Sequence, residues 1–196
     1  MFTGIIQDLG TIKNIGKGLY QISTNLDLSN CKEGSSISCN GVCLTAKNIT
    51  QSNNNSFSFD VNIGEETLKR TNLANSIFKN EKINLEKSLQ IGDEISGHFV
   101  YGHVDTTTIV TEILELENSW EYHFEKKFNK NNRFIVEKGS ISINGISLTV
   151  AKVENNTFMI SVIDHTFHHT NLKYLNKSDQ VNIEFDYLAR FILNNE

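Results

Sequence analysis

Short runs of alternating apolar and polar residues dominate the chain. Phe57–Val61 and Phe158–Val162 are rich in aromatic and β-branched side chains, and Thr106–Ile113 is a further β-branched run. Such runs are typical of β-strands with one buried face. They recur at intervals of about 8–12 residues, which is the spacing found in β-barrels and sandwiches. The pattern therefore predicts a mostly β protein.

Turns and short helices separate these runs. Asn40-Gly41 and Asn144-Gly145 each lie between two strand-like runs, and Asn-Gly is a strong hairpin signal because both residue types tolerate positive φ. The segments 65–73 and 164–172 are instead predicted as short helices between strands. Glu65 and Glu66 would interact favourably with the first turn of such a helix.

The C-terminal segment predicts one more helix. Asp186 is a residue type that caps helix N-termini, and apolar side chains at 187, 188, 191 and 192 form a single stripe. A helix this short is marginal alone, so it must dock on a surface. That surface is either its own barrel or a neighbouring subunit.

The sequence is internally duplicated. Residues 37–46 read ISCNGVCLTA and residues 141–150 read ISINGISLTV, so six of these ten positions are identical. Residues 66–73 correspond to 165–172, residues 83–86 to 181–184, and residues 1–6 to 99–104, in the same order in both halves. Each half, at about 98 residues, is long enough for a compact domain. A duplication of this kind either enlarges a core or supplies two similar ligand sites.

We place the boundary between the repeats near Ser96–Gly97. This gives an N-terminal barrel at 1–97, a C-terminal barrel at 98–186 and a C-terminal oligomerisation helix at 187–196. The two halves differ at three pairs of corresponding positions that carry reactive groups. These pairs are Cys43 and Ser147, Ile5 and His103, and Ser88 and Asp186.

Composition narrows the class of protein. The net charge is −5, which disfavours binding to nucleic acid through a basic surface. No apolar run reaches 18 residues, and the N-terminus lacks the features of a secretory signal, so we expect neither a membrane span nor secretion. Three cysteines without C-x-x-C spacing favour free thiols in a reducing cytoplasm. Proline is absent, and we interpret the abundance of asparagine as a bias of genome composition.

Five motifs resemble the riboflavin synthase family, of the α-chain type that carries lumazine-binding repeats. They are the opening MFTGII, the repeated NGVCLTA and NGISLTV, the link GHFVYGHVD and the ending VNIEFDYLARF. The resemblance covers essentially the whole chain. Relatives of this family include lumazine-binding antenna proteins, which share the fold but do not turn over substrate.

The resemblance implies an all-β fold of two homologous six-stranded antiparallel Greek-key barrels followed by a helix. It also implies a cofactor-free transferase that moves a four-carbon unit between two molecules of 6,7-dimethyl-8-ribityllumazine, giving riboflavin and 5-amino-6-(ribitylamino)uracil. The family is usually a cytoplasmic homotrimer whose active site lies between the N-barrel of one subunit and the C-barrel of the next. Lumazine synthase is a further candidate partner.

The resemblance assigns catalytic roles to five residues: Cys43, His103, Ser147, Thr149 and Asp186. For each residue a structural alternative stays open. The hydroxyls of Ser147 and Thr149 share one strand face and are either buried polar groups or ligand contacts. Cys43 is either a small buried hydrophobe or a substrate contact. His103 is either structural or the acid/base that deprotonates a lumazine methyl group. The first nucleophile is water, Ser147 or Cys43.

A larger set is expected to contact the pteridine and ribityl groups. Phe2 stacks on the ligand or simply packs, Gly4 and Gly102 allow a flat ring to approach the backbone or form simple bulges, and Lys138 binds substrate or is solvated. The complete set is Phe2, Thr3, Gly4, Ile5, Ile6, Cys43, Leu44, Thr45, Asp60, Glu66, Thr67, Gly102, His103, Val104, Lys138, Ser147, Leu148, Thr149, Ile163, Asp164, His165, Thr166, Phe167 and His168.

Three histidines near residue 165 have spacing that suggests a metal site. His165 and His169 share a helix face, but the glutamate of an H-E-x-x-H motif is missing and no third ligand follows nearby. We therefore predict no metal. The main alternative to an enzyme is a non-catalytic, antenna-type protein that binds lumazine or flavin.

Overall fold

Two antiparallel β-units follow each other along the chain in this computed structural model, which describes residues 1–52, 54–127 and 130–193. The strands of the N-terminal unit are β1 (Asp8–Gly16), β2 (Leu19–Thr24), β3 (Ser36–Cys39), β4 (Val42–Thr45), β5 (Lys47–Gln51), β6 (Phe57–Asn62) and β7 (Lys82–Lys87). Those of the C-terminal unit are β8 (Thr106–Glu115), β9 (Ser119–Glu125), β10 (Ser140–Ile143), β11 (Ile146–Val153), β12 (Thr157–Ile163) and β13 (Gln180–Phe185).

The C-terminal unit is a closed six-stranded barrel in the order β10-β11-β12-β9-β8-β13. The N-terminal unit has the corresponding order β4-β3-β7-β1-β2-β6-β5, with seven strands because Ala46 interrupts the run that is continuous in β11. Since β4 and β5 stand at the two ends of this order and are joined by that one residue, the N-terminal ring closes through the chain itself. The prediction of two homologous antiparallel barrels is confirmed.

Both Asn-Gly turns form as predicted. Asn40 and Gly41 have φ of 51° and 78°, and Asn144 and Gly145 have φ of 48° and 81°. Two consecutive positive φ values give the turn twist that matches two antiparallel strands. The turns connect β3 to β4 and β10 to β11.

The helices are shorter than the sequence predicts. The segment 65–73 contains α1 (Glu65–Arg70) and the start of α2 (Leu73–Lys79), separated by Thr71 in an extended conformation. In the second repeat, α3 (Asp164–His169) ends at the equivalent Thr170, and a 3-10 helix follows at Asn171–Tyr174. A second 3-10 helix spans Lys130–Phe134, and α4 spans Tyr187–Leu193. Residues 194–196 of the predicted C-terminal helix lie outside the described residues.

Each barrel encloses its own apolar core. Ile22, Phe59 and Leu85 are fully buried in the first, and Phe124 and Ile160 in the second. Because alternate strand residues point to opposite faces, the remaining positions of these strands are left for the outer surface and for contacts between the barrels.

Six buried asparagines, three from each repeat, form hydrogen bonds between the barrels. The backbone N–H of Asn72 donates to Asn182 Oδ1 at 2.7 Å, and the N–H of Asn171 donates to Asn84 Oδ1 at 2.7 Å. These two bonds join corresponding positions of the repeats, so they describe a local twofold relationship. The six residues are Asn40, Asn72, Asn84, Asn144, Asn171 and Asn182.

The side-chain amides complete this asparagine network. Asn84 Nδ2 donates to the carbonyl of Asn144 at 3.0 Å, and Asn182 Nδ2 donates to the carbonyl of Asn40 at 2.8 Å. Buried polar groups are costly unless they are paired, and here the amides of one repeat bond to the turn of the other. The interpretation of asparagine abundance as compositional bias is therefore wrong for these six residues.

Candidate functional site

The N-terminal loop of each repeat docks on the other repeat's barrel. Ser147 donates its backbone N–H to the carbonyl of Gly4 at 2.8 Å, and Cys43 donates its N–H to the carbonyl of Gly102 at 2.9 Å. Between the two loops, Phe2 and Val100 form an antiparallel bridge. Each barrel therefore carries a surface built from both repeats.

Both loop glycines are needed for this approach. Gly4 and Gly102 each have a φ of +77°, which L-residues rarely adopt. A Cβ on Gly4 would lie 2.5 Å from the backbone nitrogen of Ser147, and one on Gly102 would lie 2.6 Å from the Cβ of Cys43. The loops touch the strand edge along their backbones, which leaves the adjacent side chains available to a ligand.

The strand edges present the predicted polar groups outside the barrels. Along β4, Val42 and Leu44 are buried in the core while Cys43 is half-buried and Thr45 exposed. Along β11 the same alternation buries Ile146 and Leu148 and leaves Ser147 half-buried and Thr149 exposed. Ser147 and Thr149 thus share an outer face, as their spacing predicts, whereas the side chains of Leu44 and Leu148 face inward.

The first surface, which we call the Cys43 pocket because it corresponds in the repeat to the second surface, combines β4 with the docked loop of the second repeat. Val104 packs against the apolar core of the first barrel, and the neighbouring His103 side chain is exposed. Two of the predicted contacts between residues 60 and 67 are bonded to other side chains of the first repeat. The buried Asp60 carboxylate accepts a bond from Asn48 Nδ2 at 2.9 Å, and Glu66 pairs with Arg70 at 2.6 Å; Thr67 is half-buried on α1.

The second surface, which we call the Ser147 pocket, is a depression of about 80 Å³. Gly4, Ile5 and Ile6 from the first repeat line one side. The remaining lining comes from β11, from α3 and from the residue after it, and consists of Ile146, Ser147, His165, Thr166, His169 and Thr170. The structure thus brings together the predicted residues Gly4–Ile6, Ser147, His165 and Thr166.

Other predicted residues of α3 lie at its margin. Phe167 stacks on Trp120 with ring centroids 3.8 Å apart, and His168 Nε2 lies 3.2 Å from the Asp164 carboxylate. Ile163 precedes the helix and is exposed. These contacts fix α3 against β9, so its outward-facing residues form one wall of the Ser147 pocket.

Phe2, Thr3 and Lys138 stand apart from both pockets. Phe2 is fully buried, and the Thr3 hydroxyl donates to Glu86 Oε1 at 2.9 Å, so both residues support the loop rather than reach its outer face. Lys138 is exposed and its backbone N–H bonds to the carbonyl of Val150. Asp186 caps α4 by accepting the N–H of Leu188 at 2.9 Å, which confirms the capping interpretation.

Ser147 has a partner that sequence reasoning missed. The Nδ1 atom of His98 lies 2.7 Å from Ser147 Oγ. Burial lowers the pKa of His98 below its ordinary value, and the negative charge of Asp186 acts in the opposite direction. A neutral imidazole can accept the proton of a neighbouring hydroxyl, which is the arrangement that activates a serine oxygen. Gly97 permits this approach, because a Cβ there would lie 2.0 Å from the Thr3 carbonyl.

Two buried glutamates hold the docking loops from beneath. Glu86 accepts the backbone N–H groups of Thr3 at 2.7 Å and Gly4 at 3.0 Å. Glu184 accepts those of Tyr101, Gly102 and His103 at 2.6, 2.8 and 2.9 Å. Burial raises the pKa of both carboxyls, and the N–H bonds partly oppose that rise.

Two larger cavities lie beside these glutamates. One of about 460 Å³ is lined by His103, Asp105, Glu184, Tyr187 and Arg190. The other, of about 330 Å³, lies at the corresponding place of the first repeat and includes Ile5, Glu86 and Ser88. Each loop that a glutamate holds therefore contacts the other barrel on one face and borders a cavity on its other face.

The lumazine-binding domain family matches the chain twice, at residues 3–88 and 101–186. The chain is also 39% identical to riboflavin synthase of Actinobacillus pleuropneumoniae, over 98% of this chain and 88% of that protein.

The chain belongs to the riboflavin synthase family.

Two other riboflavin synthases also match nearly the whole chain. Riboflavin synthase of Bacillus subtilis strain 168 is 35% identical over 98% of this chain and 88% of its own length. The Saccharomyces cerevisiae riboflavin synthase is 36% identical over 98% of this chain and 84% of its own length. The crystal structure of LumP complexed with riboflavin superimposes with a TM-score of 0.78, covering 94% of this chain and 99% of LumP. At 24% identity, that likeness supports the fold.

The described segments contain no candidate metal site. Within residues 1–52, 54–127 and 130–193, no group of three or more His, Cys, Asp or Glu side chains is arranged to hold a metal ion. His165 and His169 instead stack with ring centroids 4.1 Å apart, and His169 Nδ1 bonds to the His165 carbonyl. Among the same described residues, no helix is long and apolar enough to cross a membrane.

The repeat motifs predict residues on one side of the Cys43 and Ser147 pockets but not the residues that support them. His98 lies in the motif GHFVYGHVD beside His103, and the motif itself was the available signal. Glu86 is the last residue of INLE and Glu184 is the last residue of VNIE, so the repeat alignment pairs them. Their role depends on contacts to residues more than 80 positions away, which no local pattern shows.

Proposed function

We propose that the chain is a riboflavin synthase, which transfers a four-carbon unit between two molecules of 6,7-dimethyl-8-ribityllumazine. The products are riboflavin and 5-amino-6-(ribitylamino)uracil. Together they contain all the atoms of the two substrates, so the reaction consumes no oxidant, reductant or co-substrate. The curated relatives named riboflavin synthase support this function over nearly the full chain.

One observation carries the mechanism: two homologous pockets have the same backbone but different reactive groups. The loop that bonds to Cys43 carries His103 at the position where the loop of the Ser147 pocket carries Ile5. The Ser147 pocket instead has the pair formed by His98 and Ser147. Two identical substrates need opposite roles, and this difference gives each pocket its own proton chemistry.

His103 is the proposed base for a lumazine methyl group. Its side chain is exposed and lines the cavity of about 460 Å³ while its backbone N–H is held by Glu184, so the imidazole reaches a ligand without moving the loop. In the other pocket, His98 takes the proton of Ser147, whose oxygen then serves as nucleophile or hydrogen-bond acceptor toward the second ring. Thr45 and Thr149 extend the two edges as hydroxyl contacts.

A complete active site brings the Cys43 pocket of one subunit to the Ser147 pocket of another. We propose a homotrimer for this purpose. The supporting feature is α4, whose large apolar side chains are exposed in the single chain: Tyr187, Leu188, Phe191 and Ile192. Holding two reactants in attack geometry can lower a barrier by about 7–11 kcal/mol. A cytoplasmic location agrees with the free cysteines Cys31, Cys39 and Cys43, and lumazine synthase is a further candidate partner.

Turnover of the purified protein tests the function. The protein is incubated with 6,7-dimethyl-8-ribityllumazine as sole substrate, and riboflavin is followed by its absorbance. We expect one riboflavin for every two lumazines consumed. Ligand that binds and stays unchanged would contradict the proposal and favour an antenna-type binding protein.

Variants of the two pockets sharpen this test. His103→Ala and Ser147→Ala should each lower kcat by about 10²- to 10⁴-fold, the usual contribution of a positioned proton-transfer group. Ser161→Ala, on an exposed position of β12, is the control and should keep full activity. Thermal melts of all three should stay near the wild-type value. Losses of activity that merely follow losses of stability would make His103 and Ser147 structural residues.

A further inference from the structure

Glu86 and Glu184 are equivalent residues that accept hydrogen bonds from the corresponding loops of the two repeats. Both lie near the end of the last strand of their barrel and are almost fully buried. Glu184 bonds to the three consecutive backbone N–H groups of Tyr101, Gly102 and His103. Glu86 bonds to the N–H groups of Thr3 and Gly4 and to the Thr3 hydroxyl, and the backbone N–H of Ile5 also stabilises its carboxylate.

The Glu184 carboxylate lies directly behind the backbone of the proposed base. Glu184 Oε2 accepts from both Gly102 and His103, so it fixes the peptide groups on both sides of the Gly102 Cα, and the second of these leads directly into His103. The same Gly102 bonds through its carbonyl to Cys43 of the first barrel. The loop is therefore held between a carboxylate of its own barrel and a strand edge of the other. Glu86 holds Gly4 in the same way against Ser147.

We propose that Glu184 is the positioning residue for His103, and that Glu86 is the positioning residue for the Gly4–Ile6 wall of the Ser147 pocket. This inference rests on the proposed function and names residues that act through others. Loss of Glu184 support should impair the chemical step through His103. Loss of Glu86 support should impair substrate binding, because the wall it holds carries no proton-transfer group.

Glutamine is the appropriate substitution at both positions. It keeps the size of the side chain but replaces one acceptor oxygen with an NH₂ donor, so at least one backbone N–H in each cradle faces another donor. A misplacement of about 1 Å can cost about 100-fold in rate. We expect Glu184→Gln to lower kcat by about 10- to 100-fold with little change in KM, and Glu86→Gln to raise KM with a smaller change in kcat.

A double-mutant cycle separates positioning from a general structural role. If Glu184 acts through His103, adding Glu184→Gln to His103→Ala should change kcat less than twofold, because the group that it positions is already gone. Adding Glu86→Gln to His103→Ala should still raise KM. Glu117→Gln, on the exposed turn between β8 and β9, is the matched control and should behave as wild type. Additive effects of Glu184→Gln and His103→Ala would overturn the proposal.

Amide hydrogen exchange tests the two cradles without relying on turnover. In the wild type, the N–H groups of Gly102 and His103 should exchange slowly, as bonded and buried groups do. Glu184→Gln should speed their exchange and leave that of Gly4 unchanged, whereas Glu86→Gln should do the reverse. If Glu184→Gln does not fold, unprotected Gly102 and His103 in the wild type would still refute the cradle. A wild type that lacks turnover but shows this exchange pattern would overturn the proposed function alone.

Discussion

Gly41 and Gly145 meet at the contact between the two barrels, each at the tip of its Asn-Gly turn. A Cβ built on either glycine would lie 2.7 Å from the backbone nitrogen of the other. Both residues also have positive φ, at 78° and 81°. Glycine is thus required at this contact for two separate reasons, backbone conformation and space.

Replacing one of these glycines should destabilise the protein by more than conformational strain alone. We expect Gly145→Ala to lower the free energy of unfolding by about 2–5 kcal/mol, from the left-handed backbone and from overpacking together. Gly16→Ala is the matched control, because Gly16 has a φ of +100° and no atom within 4 Å of its Cβ position. Its cost should be about 1–2 kcal/mol. Urea denaturation measures both values, and equal costs would argue against the close approach.

The asparagine network gives a second stability prediction. Asn182→Ala removes the acceptor for the Asn72 N–H and the donor to the Asn40 carbonyl, both of which are buried. Leaving these groups unpaired should cost about 2–4 kcal/mol. Asn75→Ala removes a hydrogen bond to Gln180 on the exposed side of the same contact and should cost less than about 1 kcal/mol. A neutral Asn182→Ala in thermal and urea unfolding would contradict the network's role.

The lowered pKa of His98 predicts that the stability of the protein depends on pH. Burial holds the pKa of His98 below its ordinary value of 6.5, so the folded protein favours the neutral imidazole. Its contribution to stability is therefore present above pH 6.5 and is lost as the pH falls through the lower pKa of the folded state. We expect the free energy of unfolding to fall more steeply below pH 6.5 in the wild type than in His98→Gln.

The same titration should appear in turnover. Protonated His98 cannot accept the proton of Ser147, so kcat should decline over the same acidic range in which stability declines. His98→Gln removes the titrating group, and its residual activity should show no decline from this source. A wild-type acid limb that persists unchanged in His98→Gln would assign the titration to another group.

The exposed face of α4 predicts the effect of charge at the proposed subunit contact. Leu188 and Ile192 are 62% and 59% exposed in the single chain. Leu188→Asp should convert a trimer into monomers in light scattering and reduce turnover, because each active site is completed by a neighbour. Ile91→Asp, at a fully exposed apolar residue far from α4 in sequence, should change neither. A Leu188→Asp protein that remains trimeric would place the subunit contact elsewhere.

Local pattern and duplication predicted two mostly β halves, and the family resemblance supplied the two six-stranded barrels. The strands at 57–61, 106–113 and 158–162 all form, and both Asn-Gly turns have the positive φ values that the residue types allow. The breaks at Thr71 and Thr170 were missed because they arise from the asparagine that follows each one. Asn72 and Asn171 bond across the barrel contact, and this pulls the chain out of the helix.

The site was predicted only as far as the repeats align. Cys43, Ser147 and His103 stand at unequal positions of matched motifs, so comparison of the halves finds them. The partners of these residues come from distant segments: His98 reaches Ser147 across 49 positions, and Glu184 reaches His103 across 81. Only the folded arrangement of the two barrels brings such groups together.

The most direct test of the central claim is a crystal structure with an unreactive analogue of 6,7-dimethyl-8-ribityllumazine. The account predicts one analogue at Cys43 and His103 of one subunit and a second at Ser147 and Ile6 of its neighbour, with the two rings stacked against each other. Two occupied pockets that no assembly brings together, or a single occupied pocket per chain, would contradict it.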